Sequence, residues 1–188
     1  VIYNEKNLGC ARGWNQGISF WGQNPSIDYY FIFNNDIFVP PFYLYNLCEE
    51  MQERSFEIGA GLIVQKNVQL GSLSSLLGYL IPEDRDFIID SKKTVAIYES
   101  AVGQSVFINL LIHRKVVEEI GLFDENFTDV WYEDNDYQRR LIKAGKRILV
   151  TGKAPLIHFG GKATETRKDL NRKNFEYFEK KYPDWAWT

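Results

Sequence analysis

Three short polar runs follow apolar stretches, and each carries side chains able to hold a cation or move a proton. Asn34-Asn35-Asp36 closes the run YYFIF, and oxygen ligands there could reach Mg²⁺ or Mn²⁺, cations that keep waters and bridge phosphates. The same three residues suit an Asx-rich turn, because their side chains bond their own backbone. Trp131-Tyr132-Glu133-Asp134-Asn135-Asp136 places three acids within four residues at a predicted helix start. Acids in a first turn complement the helix dipole, and Asp136 with Arg140 has the i,i+4 spacing of a helix-surface ion pair. Crowding among carboxylates also favours the neutral form of one of them, which is how a general base comes to work near neutral pH. His158 ends the apolar run PLIHF and precedes Gly160-Gly161. A strand histidine is ordinarily structural, but at a flexible strand end it can also face a ligand as a metal donor. His113 sits mid-strand beside Arg114 and receives no role.

Other chemistries have no support in the residue pattern. Asn7-x-Gly9 and Asn15-x-Gly17 lack the glycine spacing of a dinucleotide turn, and there is no Walker loop. GxSxG, HExxH and CxxC are all absent, which removes serine hydrolase, zincin and thiol-redox readings. Cys10 and Cys48 fall on different predicted helices and imply no disulfide framework, so a reducing compartment fits.

The elements that must position these runs alternate. Val1–Tyr3 reads as the end of a strand, followed by a loop and a short helix over CARGWNQGISFW. The strand YYFIF comes next, and a helix opens at Pro40-Pro41 and runs through FYLYNLCEEMQER, proline being tolerated in a first turn. GAGLIV (59–64) is a strand, residues 65–105 form an aperiodic, variable excursion, and VFINLLIHR (106–114) is again strand-like. RKVVEEIG follows as a helix closed by Gly121, and Asp134–Ala144 carries a Tyr137, Leu141, Ala144 stripe that Gly145 stops. RILVTG and PLIHF read as two short strands, and a basic helix from about Glu165 to Tyr182 places Leu170, Phe178 and Tyr182 on one side. Such alternation predicts an α/β domain spanning 1–188, with a mostly parallel sheet flanked by helices and ligands bound at the strands' carboxyl ends.

Composition is compatible with one such domain. The 188 residues are 45% hydrophobic, 25% charged and 15% aromatic, far from a disordered chain. No run approaches the roughly 18 apolar residues that cross a bilayer, and VIYNEKN is not a signal peptide. The sequence therefore reads as soluble and cytoplasmic. Its opening without Met, in an apolar run, reads as an arbitrary boundary. Residues 1–138 hold 9 Lys+Arg against 20 Asp+Glu, and 139–188 hold 13 against 5. An acidic body suits a divalent cation, and a basic last third suits phosphates or the inner face of a membrane, with a solvated basic helix as the plainer account.

Order and content together resemble one family, the inverting, metal-dependent glycosyltransferases of family 2 with the GT-A fold, especially their rhamnosyltransferase-like branch. NLGCARGWNQGI, YYFIFNNDIFVPP, the long run from INLLIHR to PLIHFGG, and NFEYFEKKYP each resemble a family segment in family order. Apart from 65–105, nearly all of the chain is covered. The combination Glu-Asp-x-Asp, Arg, Gly, His-x-Gly-Gly is its most specific part. Family members begin with a strand and an Asp-Asn-x-Ser loop that hold the nucleobase, and this sequence starts after them.

The resemblance implies a hexosyltransferase of polysaccharide or cell-envelope biosynthesis, moving sugar from a nucleoside-diphosphate donor to a glycan or lipid-linked acceptor. It implies Asp36 and His158 as ligands of Mg²⁺ or Mn²⁺, and Asp134 as the base. Asn7, Gly9, Arg12, Asn15 and Asn34 would join Asp36 in donor binding, with Arg12 standing where a small residue is usual. Trp131, Tyr132 and Glu133 would meet the acceptor, although both aromatics also suit core packing. Two alternatives stay open: a non-catalytic nucleotide or glycan binding module, and a sugar nucleotidyltransferase. Nucleic acid is the least supported partner, since the basic residues carry no recognised binding motif.

Overall fold

The structure, a computed structural model, describes residues 1–65, 87–89, 109–128, 130–158 and 168–184. Most of the 65–105 excursion, residues 106–108, the Gly160-Gly161 pair and the start expected for the last helix lie outside the described residues. The chain forms two compact units, one of residues 31–113 and 145–160, the other of 1–30, 114–144 and 161–188.

The first unit is built on a sheet. Its strands are β1 (Tyr29–Phe33), β2 (Ile37–Phe38), β3 (Ile58–Gln65), β4 (Phe87–Ile89), β5 (Asn109–His113) and β6 (Ile148–His158), in the order β1-β5-β3-β6-β2, with β4 also paired to β6. The expectation of a mostly parallel sheet is corrected: β3 runs parallel to β6, but β3–β5, β2–β6 and β4–β6 are antiparallel, so the sheet is mixed. Parallel sheets are recognised by continuous apolar runs buried on both faces, and the fully buried LLI of β5 has that look in an antiparallel setting.

A second correction concerns the end of the sheet. The two short strands expected at 147–159 are one strand of 11 residues. Gly152 and Pro155 suggested a break, yet the register against β3 merely shifts between Gly61 and Ile63, an irregularity that absorbs the punctuation. β4, inside the aperiodic excursion, had no strand signal of its own.

Helix α2 (Tyr43–Glu53) packs on β3 and β6. Pro40 and Pro41 precede this helix rather than lying in its first turn, and Phe42 caps it in a left-handed conformation at φ 64°. The two glycines of GAGLIV are explained by this contact. A Cβ on Gly59 would lie 2.6 Å from Met51 Sδ, and one on Gly61 would lie 1.9 Å from the Ala154 carbonyl oxygen. Only glycine lets the helix and the neighbouring backbone approach so closely. Ile58 and Ala60 alternate with them and are buried.

The second unit holds four helices: α1 (Cys10–Trp21), α3 (Arg114–Ile120), α4 (Glu133–Lys143) and α5 (Lys168–Lys181). Val1–Tyr3, expected as a strand end, has no regular structure and is exposed. Gly121 and Gly145 take φ values of 85° and 73°, the left-handed geometry expected of helix-ending glycines. Arginines complete two of the helix ends: Arg114 donates to the carbonyls of Gly22 and Asn24 after α1, and Arg140 to those of Ile120 and Leu122 at the end of α3. A guanidinium there satisfies orphan carbonyls and meets the negative end of the dipole. In the core of this unit Trp14 of α1 packs tilted against Phe123 at 4.9 Å, and Phe123 stacks on Tyr137 of α4 at 4.1 Å.

The pair read from the sequence as a helix-surface contact, Asp136 with Arg140, is instead part of an interior network. Asp136 is fully buried, and besides Arg140 Nε at 3.0 Å it meets Lys181 Nζ at 2.5 Å and the Tyr182 hydroxyl at 2.7 Å. Lys181 also reaches Asp124 at 2.6 Å. Burial alone would raise the Asp124 pKa, but donation from Lys181, the Asn126 backbone N–H, Tyr177 and the Asn126 side chain draws it down to about 2.

Because the folded-state value lies below the ordinary 3.8, the stabilisation from Asp124 is fully present above about pH 4 and is lost as pH falls towards 2. Thermal midpoints measured at pH 5, 3 and 2 are expected to fall more steeply for the native protein than for Asp124→Asn. Parallel acid limbs would contradict this account of Asp124.

Among the described residues, no helix is long and apolar enough to cross a membrane.

Candidate functional site

In the sheet unit, the sequence-predicted metal pair comes together. β1 is five aromatic or β-branched residues, and it gives way to Asn34 and a turn at Asn35-Asp36 before β2 begins. β2 then pairs with the far end of β6, with Ile37 opposite His158. That register sets residues 122 apart in sequence side by side, and His158 Nε2 lies 3.2 Å from Asp36 Oδ1. The imidazole is mostly covered, its side chain 13% exposed, while the carboxylate is 34% exposed. The pair thus has a protected nitrogen behind a reachable oxygen.

At this separation the carboxylate oxygen and the ring nitrogen are in direct hydrogen-bond contact, and both are atoms that would hold a divalent cation. Carboxylate plus imidazole is a donor set that Mn²⁺ accepts readily and Mg²⁺ less so. Among the described residues there is no group of three or more His, Cys, Asp or Glu able to hold a metal. Asp36 and His158 are the described residues that would hold such a cation, which keeps waters and bridges phosphates when it binds.

The same unit holds a buried polar contact that sequence reasoning missed. Asn109 and Tyr43 are buried, Tyr43 donates its hydroxyl proton to Asn109 Oδ1 at 2.7 Å, and the Gly61 N–H bonds Asn109 Oδ1 at 2.6 Å. Burial pushes the Tyr43 phenol well above its ordinary value. A tyrosine two residues past a Pro-Pro pair gave no sign of this.

In the helical unit, the acidic run divides by exposure. Glu133 and Asp136 are buried, and of the three carboxylates only Asp134 is half-buried. Asp134 opens α4 and accepts the Asn135 backbone N–H at 2.8 Å, so its carboxylate is held at the helix start. Burial of Glu133 turns a residue expected to meet the acceptor towards the interior. Tyr132, half-buried, packs its ring against Phe175 and Phe178 of α5, each at 5.6 Å, which is the packing alternative the sequence left open. Burial, then the charges of Glu179 and Asp134, raise its phenol pKa.

The other residues expected near the donor have local occupations in this unit. Asn7 Oδ1 accepts the N–H of Gly9 at 2.9 Å, and Gly9 starts α1 at φ 80°, so this pair builds the helix entry. Asn15 is buried and holds the Phe123 backbone from both sides, donating to its carbonyl and accepting from its N–H, both at 2.9 Å. Arg12 is exposed and pairs with Glu125 at 3.6 Å. In the sheet unit, Asn34 is half-buried directly before the turn that carries Asp36.

No known protein family matches the chain, and no curated protein matches it.

Proposed function

We propose that the chain is a GT-A type, metal-dependent inverting glycosyltransferase that moves a sugar from a nucleoside-diphosphate donor to a hydroxyl of a glycan or lipid-linked acceptor. The observation that carries the reading is the meeting of Asp36 and His158 at the end of an apolar strand, 3.2 Å apart. An aspartate at that strand end and a histidine far away in sequence are what the resemblance called for, and the geometry supports their working together.

Asp36 and His158 are the residues that would hold Mg²⁺ or Mn²⁺, and the chemistry such a cation supplies when bound is Lewis-acid neutralisation of the departing diphosphate. Asp134 takes the proton of the acceptor hydroxyl. The acceptor oxygen forms a bond to the anomeric carbon as the bond from that carbon to the phosphate oxygen breaks, and the electron pair leaves with the nucleoside diphosphate. One displacement without an enzyme-bound sugar inverts the anomeric configuration. Asn34 supports Asp36 at the donor end, and Trp131 and Tyr132 shape the ground before Asp134.

The basic last third gives less support to membrane contact than its count suggests. Arg139 lies over the Tyr182 ring at 4.4 Å and Arg147 over Phe56 at 4.6 Å, while Lys146 pairs with Glu57 and Lys153 with Glu50. These cations serve internal contacts. Among the described residues, Lys173 and Lys180 on α5 are exposed and are available to a phosphate-rich surface at the inner face of the membrane.

Calorimetric titration of the full-length protein with UDP, dTDP and GDP, each with Mn²⁺ and with EDTA, tests the reading. At least one nucleotide is expected to bind only with the metal, and Asp36→Ala is expected to weaken that binding at least tenfold. Equal affinity in EDTA would overturn the metal role of the pair.

A further inference from the structure

Trp131 and Tyr132 both have left-handed backbones, φ 73° and 72°. For residues with bulky side chains this conformation is strained, because Cβ crowds the carbonyl oxygen, and it persists only where the surroundings over-determine it. The strained pair lies directly before the first turn of α4, and the Tyr132 carbonyl accepts the Asp136 N–H at 2.9 Å. It therefore sets the direction in which Glu133 and Asp134 leave the loop.

One residue restrains that loop from the side. Asn174 of α5 is buried, at 2% exposure. Its amide nitrogen shares two protons among the carbonyls of Thr128 at 2.8 Å, Val130 at 2.8 Å and Trp131 at 3.0 Å, one proton being shared between two of them, and its oxygen accepts the Thr128 N–H at 3.2 Å. A single side chain thus gathers three carbonyls that a relaxed loop would present to water. Phe175 and Phe178, on the same helix, hold the Tyr132 ring. We propose that Asn174 is a positioning residue: by clamping the carbonyls of Thr128, Val130 and Trp131 it keeps Trp131 and Tyr132 in their strained form and fixes the Asp134 carboxylate for proton transfer. The inference rests on the reading of Asp134 as the base.

The clamp has a readout that needs no substrate. In the full-length protein, amide hydrogen exchange over 130–136 is expected to quicken at least tenfold in Asn174→Ala, with α1 and α3 unchanged. Adding Trp131→Gly, which removes the cost of the left-handed backbone, is expected to slow it again. If Asn174→Ala does not fold, Asn174→Ser, which keeps a donor for one carbonyl, serves the same comparison. Unchanged exchange over 130–136 would overturn the clamp whatever the protein's activity.

The rate gives the second readout. A misplacement of about 1 Å can cost about 10²-fold, so Asn174→Ala is expected to lower kcat for sugar transfer 10- to 100-fold, with Mn²⁺–nucleotide affinity unchanged. It is expected to add nothing in an Asp134→Asn background, because both changes act through the same carboxylate. Quickened exchange with normal kcat would overturn the positioning role. Transfer that survives Asp134→Asn would overturn the base reading, and the positioning role with it, while leaving the exchange result standing.

Discussion

Asp136→Ala is expected to cost about 3 kcal/mol of folding stability, the lower end of the range for breaking a buried ion pair from one side. The carboxylate is fully buried, and Arg140, Lys181 and Tyr182 all converge on it. Its loss leaves both cations facing the space the carboxylate filled and removes Arg140's acidic partner. The cost stays at the lower end because each cation keeps another partner: Arg140 still donates to the carbonyls of Ile120 and Leu122, and Lys181 still meets Asp124. Arg172 and Glu176 supply the control, since they form an i,i+4 pair at 2.9 Å with side chains 81% and 59% exposed. Arg172→Ala is expected to change stability by less than about 0.5 kcal/mol. Urea midpoints that rank the two variants as equal would show that the network carries no net stability.

That contrast also marks what local sequence can and cannot convey. Both pairs have the same spacing, and spacing alone reads each as a surface contact. What separates them is the packing of α5, whose Lys181 and Tyr182 arrive from about 45 residues away. Long-range burial of this kind leaves no local trace. A trace did exist for Asn174. The row Leu170, Phe178, Tyr182 steps in fours and eights, and position 174 completes it, so a polar residue in an otherwise apolar row was the available sign of a buried amide.

The element boundaries were legible where glycine or an apolar block set them. β1, α3 and the C-terminal end of α4 follow YYFIF, Gly121 and Gly145. Strand direction was not legible, because an apolar run reports burial and says nothing about which way its neighbour runs. The Asp36–His158 contact was reachable because a resemblance in residue order named both partners. Periodicity alone would have left them as a turn and a strand histidine. For Asn7, Gly9 and Asn15 the resemblance implied donor binding, and what the structure shows of them is the entry of α1 and its tie to the Phe123 backbone.

The largest functional effect is expected from Asp134→Asn. Three acids compete for the role of base, and burial distinguishes them. Asp136 is committed to Arg140, Lys181 and Tyr182, Glu133 is 5% exposed, and Asp134 alone is only half-buried and so reachable. A base must reach a hydroxyl that arrives from outside, so accessibility decides before proton affinity does. Asparagine keeps the size of the side chain and an oxygen for the Asn135 N–H, so the helix start should survive while the proton acceptor is lost. General-base assistance is worth about 10²–10⁴-fold. In the full-length protein, assayed with UDP-, dTDP- and GDP-sugars and Mn²⁺, kcat is expected to fall by that factor with nucleotide affinity unchanged. Glu133→Gln is expected to register chiefly in stability, because its carboxylate faces the interior. Transfer by Asp134→Asn within tenfold of the unsubstituted enzyme would place the base on another residue, and a loss of nucleotide affinity matching the loss of rate would mean that Asp134 binds donor instead of taking the proton.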